Sequence, residues 1–147
     1  TQKLGVDYLA SLARDADLSA LSEEEQKRAR HVITETARTL DFVELLEDGA
    51  LMDERLDQIG SLMTASHESL RDDYEVTVPE LDIAAETALE NGAVGARMTG
   101  GGFGGSAIAL VRKHQAGAVM DAITKRFAEE GFNQPHFLHA KPSAPAN

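Results

Sequence analysis

Between Arg97 and Gly105 the chain reads Arg-Met-Thr-Gly-Gly-Gly-Phe-Gly-Gly, with five glycines in the six positions 100–105. Each glycine ordered in a strand interior costs about 0.5–1 kcal/mol relative to alanine, against a domain stability of about 5–15 kcal/mol. Such a run answers either a need for positive φ at successive residues or an approach so close that a Cβ would clash. The approaching group is a ligand or another loop; the alternative is a glycine-rich hairpin or bulge with no ligand. Gly100-x-Gly102-x-x-Gly105 matches the dinucleotide fingerprint, but that motif opens a helix, and here the apolar run Ser106 to Val111 follows. A Walker loop ends in Gly-Lys-Ser/Thr, and no lysine stands between Lys27 and Lys113. The protein-kinase loop is followed by V-A-I-K and H-R-D segments, which are absent. What remains is a glycine loop joining two strands.

Other polar groups offer weaker chemistry. His31 and Glu35 stand at i and i+4 with Arg38 three residues on, a spacing that suits a metal dyad or, in the preferred reading, an ion-pair ladder. His67-Glu68 lacks the second histidine of H-E-x-x-H and has no evident third ligand, which excludes a zinc protease. Adjacent carboxylates at Asp72-Asp73 suit a hard cation such as magnesium or, in the preferred reading, a solvated turn or an interdomain hydrogen-bonding role.

The elements that would position these residues follow from caps and periodicity. Ser22 and Glu25 form a capping box, and Ala29, Val32, Ile33, Ala37, Leu40, Val43 and Leu46 recur as a core-facing helical stripe up to a stop at Gly49. A second helix spans about Asp53 to Ser69. A third opens at the box Thr77-x-x-Glu80, with Pro79 in its first turn, and closes at Asn91-Gly92. Strands are expected at about 94–98 and 106–111, a fourth helix from Lys113 to Glu130 ending at Gly131, and an edge strand from Pro135 to Ala140. Helices first and strands late indicate an α+β fold, an antiparallel sheet with several helices packed on it.

Composition narrows the partners. The 147 residues amount to one domain, and 25 acidic against 14 basic residues give a net charge of −11, which excludes a nucleic-acid partner. No run of 18 apolar residues is present, so no membrane span is expected. The absence of cysteine excludes disulfides and thiolate metal sites.

Arg97 to Gly105 closely resembles the third motif of the GHMP small-molecule kinases in its galactokinase form. Arg28-Ala-Arg-His-Val-Ile-Thr-Glu-Thr-Ala-Arg38 resembles the galactokinase signature R-x-R-H-V-x-x-E-x-x-R, and Ser66 to Asp82 resembles the segment preceding the third motif. The likeness runs collinearly from about residue 25 to Ser143, departing at Thr36, where asparagine is usual, and at Ser106, where cysteine is common.

The resemblance implies that residues 1–147 are a single GHMP-kinase carboxyl-terminal domain, a fragment lacking its amino-terminal domain. The family's sugar-recognition segment, its P-x-x-G-L-S-S-S-A loop and its transfer-centre arginine and aspartate do not occur, and the chain starts at Thr1 in what reads as a helical region. The implied activity of the whole enzyme is transfer of the γ-phosphate of ATP to the anomeric hydroxyl of galactose, in the cytoplasm. Arg97, Thr99, Gly100, Gly101, Gly102, Phe103, Gly104 and Gly105 are the implied ATP-site residues. No catalytic residue or general base falls in this chain, magnesium ligands are expected in the absent half, and the fragment alone is expected to be inactive. Alternatives are a catalytically silent, sugar-responsive relative, another GHMP kinase acting on mevalonate or homoserine, or a small ligand-binding α+β module. A surface around Met98, Phe103 and the long helix, covered by the amino-terminal half in the intact enzyme, is expected to drive self-association of the fragment.

Overall fold

The computed structural model describes residues 1–47 and 53–140. Residues 1–21 hold two 3-10 turns, Gln2–Leu4 and Leu9–Ser11, rather than the expected helical start. Four α-helices follow, α1 (Glu23–Glu47), α2 (Asp53–Asp72), α3 (Pro79–Glu90) and α4 (Ala116–Glu130), with strands β1 (Ala93–Thr99) and β2 (Ser106–Val111) between α3 and α4.

Local chemistry explains most boundaries. The Glu25 amide donates to Ser22 Oγ at 3.3 Å and the Ser22 amide to Glu25 Oε2 at 2.8 Å, which is the capping box expected at the start of α1. The stop expected at Gly49 lies outside the described residues. Helix α3 departs from expectation: Val78 is its N-cap, and the Thr77 hydroxyl donates to the Asp82 carboxylate at 3.2 Å instead of boxing with Glu80. Pro79 fits the first helical position because an amide there would have no partner. Helix α4 starts at Ala116 rather than Lys113 and ends on Gly131, whose φ of 74° lets its amide return to the last turn.

Strands β1 and β2 pair antiparallel from Ala93↔Val111 to Thr99↔Ser106, with a bulge that leaves Val94 unopposed. The α+β architecture expected from the element order is present, with a two-stranded sheet among the described residues. The edge strand expected over 135–140 is not formed. Pro135 withholds an amide from any ladder, and the stretch pairs with neither strand, leaving Leu138 93% exposed.

Helix α1 packs on α2, α2 on β1, and α3 on both β1 and α4. One apolar cluster joins Ala85, Ala88, Ala93, Ala96, Val119, Ile123 and Phe127; a second joins Leu70, Leu81 and Met98. In α1, Ala29 and Ile33 are buried, but Leu40, Val43 and Leu46 are 66%, 44% and 50% exposed because no described element covers that end. The core stripe expected along the whole helix is therefore half a stripe.

Helix α2 crosses β1 with no side chain between the two main chains. A Cβ on Gly60 would meet the Val94 carbonyl, and one on Gly95 would lie 2.5 Å from Gly60 Cα. This closeness brings His67 of α2 to β1, where its Nδ1 accepts the Met98 amide at 3.1 Å. On the ring's other side Nε2 stands 3.2 Å from Asp82 Oδ1 without hydrogen-bond alignment. Burial lowers the His67 pKa, opposed by Asp82 and Glu86 and reinforced by Arg71. His31 is likewise lowered, chiefly by burial; it shares a 3.0 Å hydrogen bond with Ser69 Oγ and stacks on Tyr74 at 4.6 Å.

Two stability predictions follow from this packing. Gly60→Ala or Gly95→Ala is expected to lower the unfolding free energy by about 3 kcal/mol, the upper end of the usual overpacking cost because backbone faces backbone. Gly117→Ala, in open space on α4, is expected to raise it by roughly 0.5–1 kcal/mol. Urea denaturation at constant m-value checks both, and an alanine at Gly60 without cost would disprove the close crossing. The histidines set the pH dependence. Their folded pKa values lie below the unfolded value of about 6.5, so the native state binds fewer protons and its stability is full above that pH. Stability is expected to fall as pH drops from about 6.5, and His67→Asn, which keeps an acceptor near Nδ1 but does not titrate, is expected to flatten that slope.

Candidate functional site

The glycine run fills the connection between β1 and β2, beyond the register pair Thr99↔Ser106. Its backbone is left-handed at Gly100, Gly102, Phe103, Gly104 and Gly105, so one of the two requirements inferred for the run, positive φ, is met at five residues. The second, close approach, is met at Gly102, where a Cβ would overlap Val76 and lie 2.8 Å from that residue's own Cβ. The approaching group is thus a neighbouring loop of the same chain. Gly101 differs from both: its φ is not left-handed, and nothing of the described chain lies within 4 Å of where its Cβ would be.

Phe103 is the anchored point of the run. Its amide donates to the Val76 carbonyl at 2.7 Å while its side chain is 75% exposed. Among the described residues it is the one member of positions 100–105 whose amide is used by the chain. The amides of Gly100, Gly101, Gly102, Gly104 and Gly105 have no loop or turn acceptor among the described residues. Thr99 is exposed at the end of β1 and bonds to no loop backbone among the described residues. Met98, expected on an open apolar surface beside Phe103, is instead 1% exposed against Leu70 and Leu81. Strand alternation sends its side chain into the core, which removes it from the expected association patch.

Arg97 points away from the run into a charged knot. Its Nη1 donates to Glu35 Oε1 at 3.1 Å and its Nε to the Met98 carbonyl at 3.0 Å. Glu35 also accepts Ser66 Oγ at 2.6 Å and Arg38 Nε at 3.0 Å. Burial pushes the Glu35 carboxyl up, but the bonds from Ser66 and Arg38 and the charges of Arg97 and Arg38 outweigh it and hold the pKa below the ordinary value. The ladder expected at His31, Glu35 and Arg38 forms only between the last two, because His31 turns to Ser69 and Tyr74. Helix α1 is in this way tied to the strand that leads into the glycine run.

Metal chemistry finds little support here. No group of three or more histidine, aspartate or glutamate side chains converges among the described residues. Asp72 is paired with Arg71, and Asp73 with Arg30 and Ser69 Oγ, so both adjacent carboxylates have partners within the chain. No helix among the described residues is long and apolar enough to cross a membrane.

Sequence reasoning did not identify Val76, whose carbonyl grips Phe103, nor Glu35 as a hub, nor the bond from the Met98 amide to His67. Each joins residues far apart in the chain, and only the placement of Glu35 among arginines in one helix left a local trace.

Known proteins can now be compared. A family model described as GHMP kinases C terminal matches residues 42–129. The galactokinase of Streptomyces coelicolor is 47% identical over 148 residues, covering 97% of this chain and 37% of that protein. The galactokinase of Mycobacterium tuberculosis is 43% identical over 136 residues, covering 90% and 36%. Among solved structures, Lactococcus lactis galactokinase complexed with galactose superposes with a TM-score of 0.79 at 41% identity, over 88% of this chain and 34% of that one. The chain thus spans about a third of the length of the relatives it matches. Because the family match takes in more than half of the residues, including both strands and the glycine run between them, the chain belongs to the GHMP kinases, in the part described as their C-terminal region.

Proposed function

We propose that this chain is the carboxyl-terminal domain of a cytoplasmic galactokinase, the whole protein transferring the γ-phosphoryl group of ATP to the anomeric hydroxyl of galactose. The observation that carries the nucleotide half of this reading is Gly101. Neither backbone conformation nor any described neighbour requires glycine at this exposed position beside the loop apex, which leaves room there for the close approach of an outside group. The sugar half rests on galactokinases that match 88–97% of the chain.

Phosphoryl transfer depends on positioning and on neutralising charge, with little covalent work for the protein. ATP supplies the transferred group. The residues of this chain that fit it are the amides of Gly100, Gly101, Gly102, Gly104 and Gly105, which present partial positive charge without a side chain to block approach. Phe103 holds the run in place and is not a donor to phosphate. Arg97 is neutralised by Glu35, so its part is anchoring the strand and not charge stabilisation. Magnesium ligands, the sugar site and the transfer residues belong, in this reading, to the rest of the protein, as the family resemblance implies.

The test is a coupled ADP-release assay on the full-length protein. Turnover is expected with galactose and ATP, and none from residues 1–147 alone; a full-length protein that binds galactose but releases no ADP would favour a silent sugar-responsive relative. For the loop, Gly101→Val is expected to lower kcat/KM for ATP by about tenfold or more, a loss of about 1.4 kcal/mol of transition-state binding per factor of ten. The KM for galactose and the melting temperature are expected to stay unchanged, because no described atom occupies the added volume. Unaltered ATP kinetics would return the run to a hairpin that binds nothing.

A further inference from the structure

Among the described residues, the two non-glycine residues with left-handed backbone are Glu75, φ 57°, and Phe103, φ 58°. They meet at one joint, where the Val76 carbonyl accepts the Phe103 amide at 2.7 Å and Gly102 lies against Val76. Strained backbone persists only where the surroundings over-determine it, and it concentrates at functional sites.

Glu75 occupies the turn that follows α2, a place where glycine or asparagine would take the left-handed conformation at lower cost. Its carboxylate accepts Lys27 Nζ at 3.1 Å and Arg28 Nη2 at 2.7 Å, both from the first turns of α1. Arg28 Nη1 also donates to the Asp73 carbonyl at 2.6 Å, and Arg30 to Asp73 Oδ1 at 3.0 Å. Tyr74, between them, stacks on His31. Three consecutive residues of the turn are thus each held by α1. These ion pairs are part-exposed, and such pairs add little to stability. Stability therefore does not explain a glutamate at a position that favours glycine; position does. Val76 is tied to α2 through its amide on the Leu70 carbonyl at 3.1 Å, and strapping the turn to α1 adds a second anchor for the carbonyl that holds the apex of the glycine run.

We infer that Glu75 is a positioning residue of the glycine loop: clamped by Lys27 and Arg28, it holds Val76 where its carbonyl pins Phe103 and so presets the amides on either side. The inference rests on the ATP role proposed above. It assigns the arginine-rich start of α1, which touches no residue of the run directly, a part in nucleotide binding through the turn.

The experiment compares Glu75→Gln and Glu75→Gly in the full-length protein by hydrogen exchange and steady-state kinetics. The glycine variant relieves the backbone while removing the carboxylate, which separates clamping from strain. Both variants are expected to exchange about tenfold faster across residues 98–106, with α4 and the melting temperature unchanged. Both are also expected to raise KM for ATP severalfold at near-normal kcat and unchanged KM for galactose. Arg28→Gln is expected to give the same result and to add little in combination with Glu75→Gln. Wild-type exchange in the glycine variant, or equal acceleration in α4, overturns the clamp. Faster loop exchange with unchanged KM for ATP supports the clamp and overturns the ATP role of the loop.

Discussion

The main-chain contact between α2 and β1 at Gly60 and Gly95 sets the distance on which everything around the glycine run depends. A single methyl group on either residue would hold the two elements apart. At the closer spacing, His67 can take the Met98 amide and Leu70 can pack on Met98. The end of α2 then delivers the 73–76 turn to the loop. Side chains ordinarily separate a helix from a sheet, and their absence here lets polar groups of the helix serve as partners for the strand's own backbone.

Electrostatics complements this geometry. The chain is strongly acidic, yet the cations Arg28, Arg30, Arg38 and Arg97 are spent on internal carboxylates and carbonyls around α1, α2 and β1. What faces outward from the run is therefore backbone dipole and not side-chain charge.

Features that depend on neighbours in sequence were legible in advance. The Ser22–Glu25 box, the left-handed cap at Gly131 and the two strands with their glycine connection all stand where local rules put them. Features that depend on competition or distance were not. Thr77 was open to two carboxylates and took Asp82 over Glu80. Residues 135–140 read as an edge strand but pair with neither strand, and the apolar period of α1 continues through Leu40, Val43 and Leu46, which stay exposed among the described residues. In the candidate site, the glycines declared themselves by composition, while the Val76 carbonyl could not, because a backbone acceptor carries no residue-type signature.

The single bond from Phe103 to Val76 also changes what kind of object the loop is. Six residues rich in glycine would ordinarily sample a broad ensemble, and a ligand would have to order all of it at once. With the middle pinned, the run becomes two short arcs hung from a fixed post, and each has only a few torsions free. The entropy lost on ordering is correspondingly reduced, since most of it has been surrendered during folding. The unusual left-handed phenylalanine is then a form of prepayment: backbone strain accepted once in the native state, in exchange for a loop that is already largely arranged.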